Sequence, residues 1–369
     1  MSIEILLLAC LLVLVVAGAS SAQGLFEVSQ VLKGPVGDHG YRGIMGDFIR
    51  LKDGTLLFTY TDGDIKCLRS TDEGRTWSAA STLVAAPKPP AAGRIAHPSF
   101  LRCKSGDILV TYIYTTHPTT PYFGTNYYRR SADEGKTWSD QYCYTPYPGY
   151  CLVHNDRLHT LSNGRIIAAA EYKAYMPSSE DHSGFVGLTF QSDDDGYSWH
   201  PSSNTVDLYK EKKTEVQEAD VVELKDGRLL MFARTYSGFP VFAYSEDKGE
   251  TWGPGIERRD IAMPYAGLAT VVRIPATGDL LFIWINKKSQ DKVKPQINRR
   301  CGLAAAISTD DGQTLTHLRQ IADDPDDDFG YQAVEFIDDK TALVAFHARD
   351  GIRLARIGID WFYDASARE

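Results

Sequence analysis

Ser70-Thr-Asp-Glu-Gly-Arg-Thr-Trp77 decides the fold, because the chain writes it again and again. The pattern Ser-x-Asp-x-Gly-x-(Thr/Ser)-Trp returns at Ser131 to Trp138, Ser192 to Trp199 and Ser245 to Trp252, and a fifth copy, Ser308 to Leu315, lacks only the tryptophan. The starts lie 61, 61, 53 and 63 residues apart. Octapeptides at near-constant spacing mark one supersecondary unit per repeat. Each residue type has a local reason: Asp accepts hydrogen bonds from N–H groups of its own turn, Gly takes a conformation that other residues resist, and Trp buries its ring between neighbouring sheets. These boxes are structural and carry no chemistry.

A second repeat runs out of phase with the first, each copy a turn followed by an apolar run. The copies begin at Asp53-Gly54, Ser105-Gly106, Asn163-Gly164, Asp226-Gly227, Thr277-Gly278 and Asp338-Asp339. Tight turns demand positive φ, which Gly supplies, and the β-rich runs after them are short enough for buried strands. Each unit therefore holds two hairpins, and four strands in roughly 50 to 60 residues is the size of a propeller blade. The expectation is an all-β chain, a six-bladed β-propeller, with no room for a second domain.

The 369 residues are 43% hydrophobic and 24% charged, enough for a large core. A net charge of -9 argues against a protein that binds nucleic acid by neutralising phosphates. It leaves room for a small anionic substrate, because a local cluster of arginines sets the potential inside one cleft. Residues 5 to 17 are an unbroken apolar run, followed by small residues ending at Ser20-Ser21-Ala22. That reads as a signal peptide over residues 1–22, although its start carries Glu4 and no Lys or Arg. The run is shorter than the roughly 20 residues of a membrane span. The expectation is a secreted or periplasmic protein with a single domain over residues 23–369 and no membrane span. Cys67, Cys103, Cys143, Cys151 and Cys301 remain, an odd number, so at least one is not paired within the chain. Cys143 and Cys151 flank the turn at Pro148-Gly149, where a short-loop disulfide is feasible. No Cys-x-x-Cys or His-x-x-x-His spacing points to zinc, and no cofactor or metal is expected.

The boxes, together with the run from Val221-Val222-Glu223-Leu224 to Arg234, resemble the sialidase (neuraminidase) superfamily and its BNR-repeat relatives over nearly the whole mature chain. The resemblance implies a sialidase-like propeller that hydrolyses a terminal acidic sugar. Three arginines would grip the sugar carboxylate, a Tyr/Glu pair would act as nucleophile and an Asp as acid/base. Arg42 stands before the first strand unit like the first family arginine, although Gly43-Ile44 replaces the usual Ile-Pro after it. Arg234 ends the strand after Asp226-Gly227 like the second, and Arg300, with Arg299 beside it, precedes the fifth box like the third. Glu218 lies just before the Val-Val-Glu-Leu strand and Tyr331 just before the last inner strand, in the settings of the family's glutamate and tyrosine. Asp64 and Asp62 both occupy the loop where the acid/base is expected, with Asp64 slightly preferred. Convergent guanidinium groups hold a carboxylate by paired, charge-assisted hydrogen bonds. A carboxylate nucleophile would be repelled by a substrate whose own carboxylate sits on the anomeric carbon, whereas a tyrosine activated by Glu approaches neutral.

A further polar group stands at the starts of units two and three: His97, and His154-Asn155-Asp156-Arg157. A histidine with Asp and Arg nearby serves as proton carrier or sugar contact. That group supports an alternative, a propeller lyase or hydrolase acting on uronic-acid polysaccharides. A third reading is a non-catalytic glycan- or protein-binding propeller. The partner in the first two is a glycan bearing a carboxylate sugar, and oligomeric state is left open.

Overall fold

The structure is a computed structural model that describes residues 25–34, 44–88, 93–116, 120–178, 181, 183–264, 267–286 and 300–364. The expected signal peptide and Arg42 lie outside the described residues. Among the described residues no helix is long and apolar enough to cross a membrane.

After β1 (Phe26–Lys33) come β2 (Met45–Arg50), β3 (Leu56–Asp62), β4 (Asp64–Ser70) and β5 (Ser81–Val84), which form one antiparallel sheet in chain order. Nine strands follow: β6 (Arg94–Arg102), β7 (Ile108–Thr115), β8 (Gly124–Ser131), β9 (Tyr142–Cys143), β10 (Tyr150–Leu152), β11 (Leu158–Thr160), β12 (Ile166–Lys173), β13 (Val186–Ser192) and β14 (His200–Pro201). They make one sheet. Two more four-stranded sheets are β15 (Gln217–Glu223), β16 (Leu229–Arg234), β17 (Val241–Ser245) and β18 (Ile256–Glu257), then β19 (Ala269–Arg273), β20 (Leu280–Ile285), β21 (Leu303–Ser308) and β22 (Thr316–Ala322). The last sheet is β23 (Gly330–Asp338), β24 (Thr341–Ala348) and β25 (Gly351–Gly358), to which β1 adds itself in antiparallel register, Phe26 opposite Ile357. The first and last described strands are thereby joined in one sheet, and Phe26 stacks on Trp361 at 4.7 Å.

The six-bladed expectation is corrected by this topology. Among the described residues there are four separate four-stranded blades and one nine-stranded sheet, into which the second and third repeat units merge. The cause is β10, which pairs antiparallel with β12 and meets β8 through the parallel pair Tyr150 and Gly124. Turn signals count repeats along the chain, but hydrogen bonds count sheets, and a strand inserted between two units erases their boundary. The feasible Cys143–Cys151 disulfide is also absent, because both cysteines are free. Cys143 lies exposed on β9, and Cys151 lies buried on β10.

Both repeats do locally what their residue types require. In the first box Gly74 N–H donates to Ser70 Oγ at 2.8 Å, while Asp72 accepts from Thr76 N–H at 2.8 Å and from its hydroxyl at 2.6 Å. The degenerate fifth box keeps these bonds through Ser308, Asp310 and Thr314. The out-of-phase turns link the first and second strands of each unit, as when Gly54, at φ 87°, donates to Leu51 O at 2.9 Å.

The inner strands lie side by side: β2 packs against β6 and β23, and β15 against β19. Segment 155–157 ties this centre together. Asn155 Nδ2 donates to the carbonyls of Gly46 and Tyr331, both at 3.1 Å, and Asp156 accepts Val334 N–H at 2.9 Å.

Candidate active site

Four inner strands among the described residues carry the same irregularity near their starts. Between Met45 and Phe48, Ala96 and Ser99, Gln217 and Asp220, and Gly330 and Ala333, one extra residue is inserted against the neighbouring strand. A β-bulge bends the strand and re-aims a side chain. At the last three of these bulges His97, Glu218 and Tyr331 have φ of 50°, 44° and 50°. Non-glycine residues held there cost on the order of 1 to 3 kcal/mol each, a strain that clusters at functional sites.

These side chains meet. Tyr331 Oη donates to Glu218 Oε1 at 2.9 Å across 113 residues of sequence, and Arg234 holds the other Glu218 oxygen at 2.9 Å. Arg300 places its guanidinium 5.6 Å from the centre of the Tyr331 ring. Glu218, Arg234 and Arg300 are 4%, 5% and 5% exposed, so their charges act on one another with little water between them. Both arginines expected from described positions therefore flank the Tyr/Glu pair.

The two histidines complete a ring around the tyrosine. His97 lies 4.8 Å from Tyr331 and 4.8 Å from His154, centroid to centroid, and His154 stacks at 5.9 Å from Tyr331. His154 Nε2 sits 3.3 Å from Glu171 Oε1 and 3.7 Å from Glu218 Oε1. Glu171, on β12, also accepts the N–H of Glu218 at 3.3 Å and so braces the bulge that aims it. It was not singled out in the sequence, although a readable signal was there: an ionisable residue inside the apolar run Ile166-Ile-Ala-Ala-Ala-Glu171. Together with Tyr122, Tyr150, Phe185, Gln217 and Met176, these groups line a cavity of about 260 Å³.

The electrostatics assign roles within the pair. Burial alone would raise the Glu218 carboxyl, but Arg234, His154 and Arg300 outweigh it and hold the group at about 2. Burial, and then the Glu218 charge, push the Tyr331 phenol well above its ordinary value against the pull of both arginines. The resting pair is thus a neutral phenol hydrogen-bonded to a carboxylate, an acceptor in place for the proton that the phenol loses when it attacks.

His154 Nε2 and oxygens of Glu171 and Glu218 lie within 4.8 Å of one another, the spacing of a metal cluster. Their lone pairs are engaged elsewhere: Tyr331 and Arg234 take the Glu218 oxygens, and the Glu218 N–H takes one of Glu171. With Arg234 and Arg300 adjacent, the trio is an ion-pair network.

Other expected site residues stand apart. Gly63 alone turns the hairpin between Asp62 and Asp64, and neither carboxylate lines the cavity. Asp62 is exposed at the hairpin tip. Asp64 pairs with Lys66 at 2.8 Å and accepts Ala86 N–H at 2.9 Å, contacts that hold it below the usual carboxylate range, Lys66 first. Arg157 donates to Ala269 O at 2.7 Å inside the core. Asp156 lines a second cavity, of about 570 Å³, toward the C-terminal ends of the inner strands, with His159, Glu223, Arg273 and Glu335. Burial and the charges of Asp47 and Asp220 raise Asp156, and burial raises Glu335 to about 7. Asp156 and Arg157 hold the centre of the ring and do not join the histidines.

Residues 61–341 match the model of the BNR repeat-like domain. A sialidase of Micromonospora viridifaciens is 24% identical over 344 residues, 86% of this chain and 50% of its own length. The chain spans about half the length of the curated relatives it matches. A protein of unknown function from Dyadobacter fermentans DSM 18053 superposes with a TM-score of 0.64 at 20% identity, over 90% of this chain and 99% of its own. Trypanosoma rangeli sialidase in complex with sialic acid gives a TM-score of 0.64 at 14% identity, over 92% of this chain and 59% of its own.

Proposed function

The chain belongs to the BNR repeat-like domain family, and on that premise we propose that it is an exo-sialidase-like glycosidase that removes a terminal acidic sugar, sialic acid, from glycans. The observation that carries this reading is the 2.9 Å hydrogen bond from Tyr331 Oη to a Glu218 carboxylate whose other oxygen is paired with Arg234. Tyr331 attacks the anomeric carbon, Glu218 takes the phenolic proton, and the bond to the leaving oxygen breaks as an acid/base group protonates that oxygen. Water, giving a proton to the same group, then attacks that carbon, the sugar leaves Tyr331, and Glu218 returns the proton to the phenol. Two inversions retain the anomeric configuration. Arg234 and Arg300, with Arg42 as the third of the clamp, bind the carboxylate on that carbon and stabilise the negative charge beside it. The apolar run at residues 5 to 17, read as a leader, supports a location outside the cytoplasm, secreted or in a periplasm.

The lyase or hydrolase reading on uronic-acid polysaccharides drew on His97, His154 and Arg157 together, and Arg157 donates to the carbonyl of Ala269 instead. Sialoside hydrolysis is therefore the better supported reading. The test is to incubate the purified protein with α-linked sialosides and follow the products by proton NMR. The expected result is free sialic acid appearing first as the α anomer. Release from no sialoside removes the sialic-acid reading, and an unsaturated product absorbing in the ultraviolet, formed from a uronic-acid polysaccharide in a parallel incubation, replaces it with elimination.

A further inference from the structure

Double displacement at a sugar needs a group that protonates the departing oxygen and then takes a proton from water, and among the described residues no aspartate lines this cavity. Asp62 and Asp64 sit at the tip of a hairpin between second and third strands, turned by one glycine, and Asp64 is committed to Lys66 and Ala86. Of the described carboxylates that line the cavity, Glu218 is held by Tyr331 and Arg234, and Glu171 by His154 and the Glu218 backbone.

We propose that His97 is the acid/base of this site, an inference that rests on the glycosidase reading above. His97 lines the cavity, stands on the same kind of bulge as Glu218 and Tyr331, and lies 4.8 Å from the Tyr331 ring. Its partner His154 cannot exchange the role, because it is buried with Nε2 between Glu171 and Glu218, whereas His97 is partly exposed to the cavity. The groups facing His97 are His154 and Tyr331, with Glu171, Glu218, Arg234, Tyr122 and Tyr150 around the same cavity; on β2, Asp47 accepts the hydroxyl of Ser99 two residues away. In the first step the imidazolium gives its proton to the glycosidic oxygen as that oxygen leaves the anomeric carbon and Tyr331 bonds to it. In the second, neutral His97 takes a proton from the attacking water, the tyrosyl–sugar bond breaks, and the imidazolium is restored.

The experiment measures kcat/KM for wild type, His97→Gln, His97→Asp and the double variant D62N/D64N on two sialosides, one with a sugar aglycone and one with 4-nitrophenol, across pH. A 4-nitrophenolate leaves without a proton, so H97Q is expected to lose about 10²- to 10⁴-fold on the sugar aglycone and less than about tenfold on the aryl one. H97Q also loses the alkaline limb of the pH profile. H97D restores part of the sugar-aglycone rate and moves that limb to lower pH, and D62N/D64N stays within about threefold of wild type on both. Equal losses on both substrates in H97Q with an unchanged circular dichroism spectrum overturn the assignment, as does an aglycone-dependent loss in D62N/D64N. A wild type that cleaves neither sialoside overturns the glycosidase reading, and this assignment with it.

Discussion

Replacing Glu218 by Gln changes one oxygen to an amide and removes one charge from the centre of the site. The carboxylate is 4% exposed, holds Arg234 at 2.9 Å and accepts the Tyr331 hydroxyl at 2.9 Å. Loss of a positioned general base costs about 10²- to 10⁴-fold in rate, roughly 3 to 5 kcal/mol of barrier. Removing one partner of a buried ion pair costs about 3 to 5 kcal/mol of stability, less whatever the new amide oxygen recovers. The charge leaves a second signature. Glu218 is lowered from 4.5 to about 2, so its contribution is fully present above pH 4.5 and is lost as pH falls toward 2. Between pH 6 and pH 3 the unfolded chain takes up this proton and the folded one does not. Wild type therefore loses about 2 kcal/mol that E218Q does not lose over that interval. Urea melts of both proteins at the two pH values measure this difference, and sialoside hydrolysis at pH 6 measures the rate. A folded E218Q with kcat/KM within threefold of wild type refutes the base, and parallel loss of stability in the two proteins refutes the ion pair as the cause of the depressed carboxyl.

Tyr331→Phe keeps the ring against His97, His154 and Arg300 but removes the nucleophile, so turnover of a sugar-aglycone sialoside is lost while calorimetry still registers sialic acid binding. Arg234→Lys keeps the charge but not the planar fork, and kcat/KM falls by about tenfold or more with a melt close to wild type; an unchanged kcat/KM removes Arg234 from the clamp. Gly351→Ala tests the pairing of β1 with β25: at φ 132° its Cβ would stand 1.9 Å from Leu32 O, so β1 must leave β25. The expected loss is about 3 kcal/mol or more by urea melt, and a loss under about 1 kcal/mol refutes that pairing.

The repeat architecture could be read without coordinates because its information is short-range. A Ser, an Asp, a Gly and a Thr within eight residues satisfy one another's hydrogen bonds, so each box forms the same turn wherever it lies, even where Leu315 replaces Trp. The same holds for the glycine turns at Gly54, Gly106, Gly164, Gly227 and Gly278, all at positive φ. Glu218, Arg234, Arg300 and Tyr331 could be named because each sits beside such a landmark. Nothing local says that β10 slips between β8 and β12 and fuses two units, since that depends on the edges the neighbouring strands leave open. Nor does any local pattern place Glu171 under the Glu218 bulge, keep Asp64 on its own hairpin, or send Arg157 to a carbonyl 112 residues away. Those outcomes depend on where the closed ring brings distant backbones together. Three bulges, each one extra residue in an inner strand, turn separate repeats into one site, and a bulge exists only in the register between two strands.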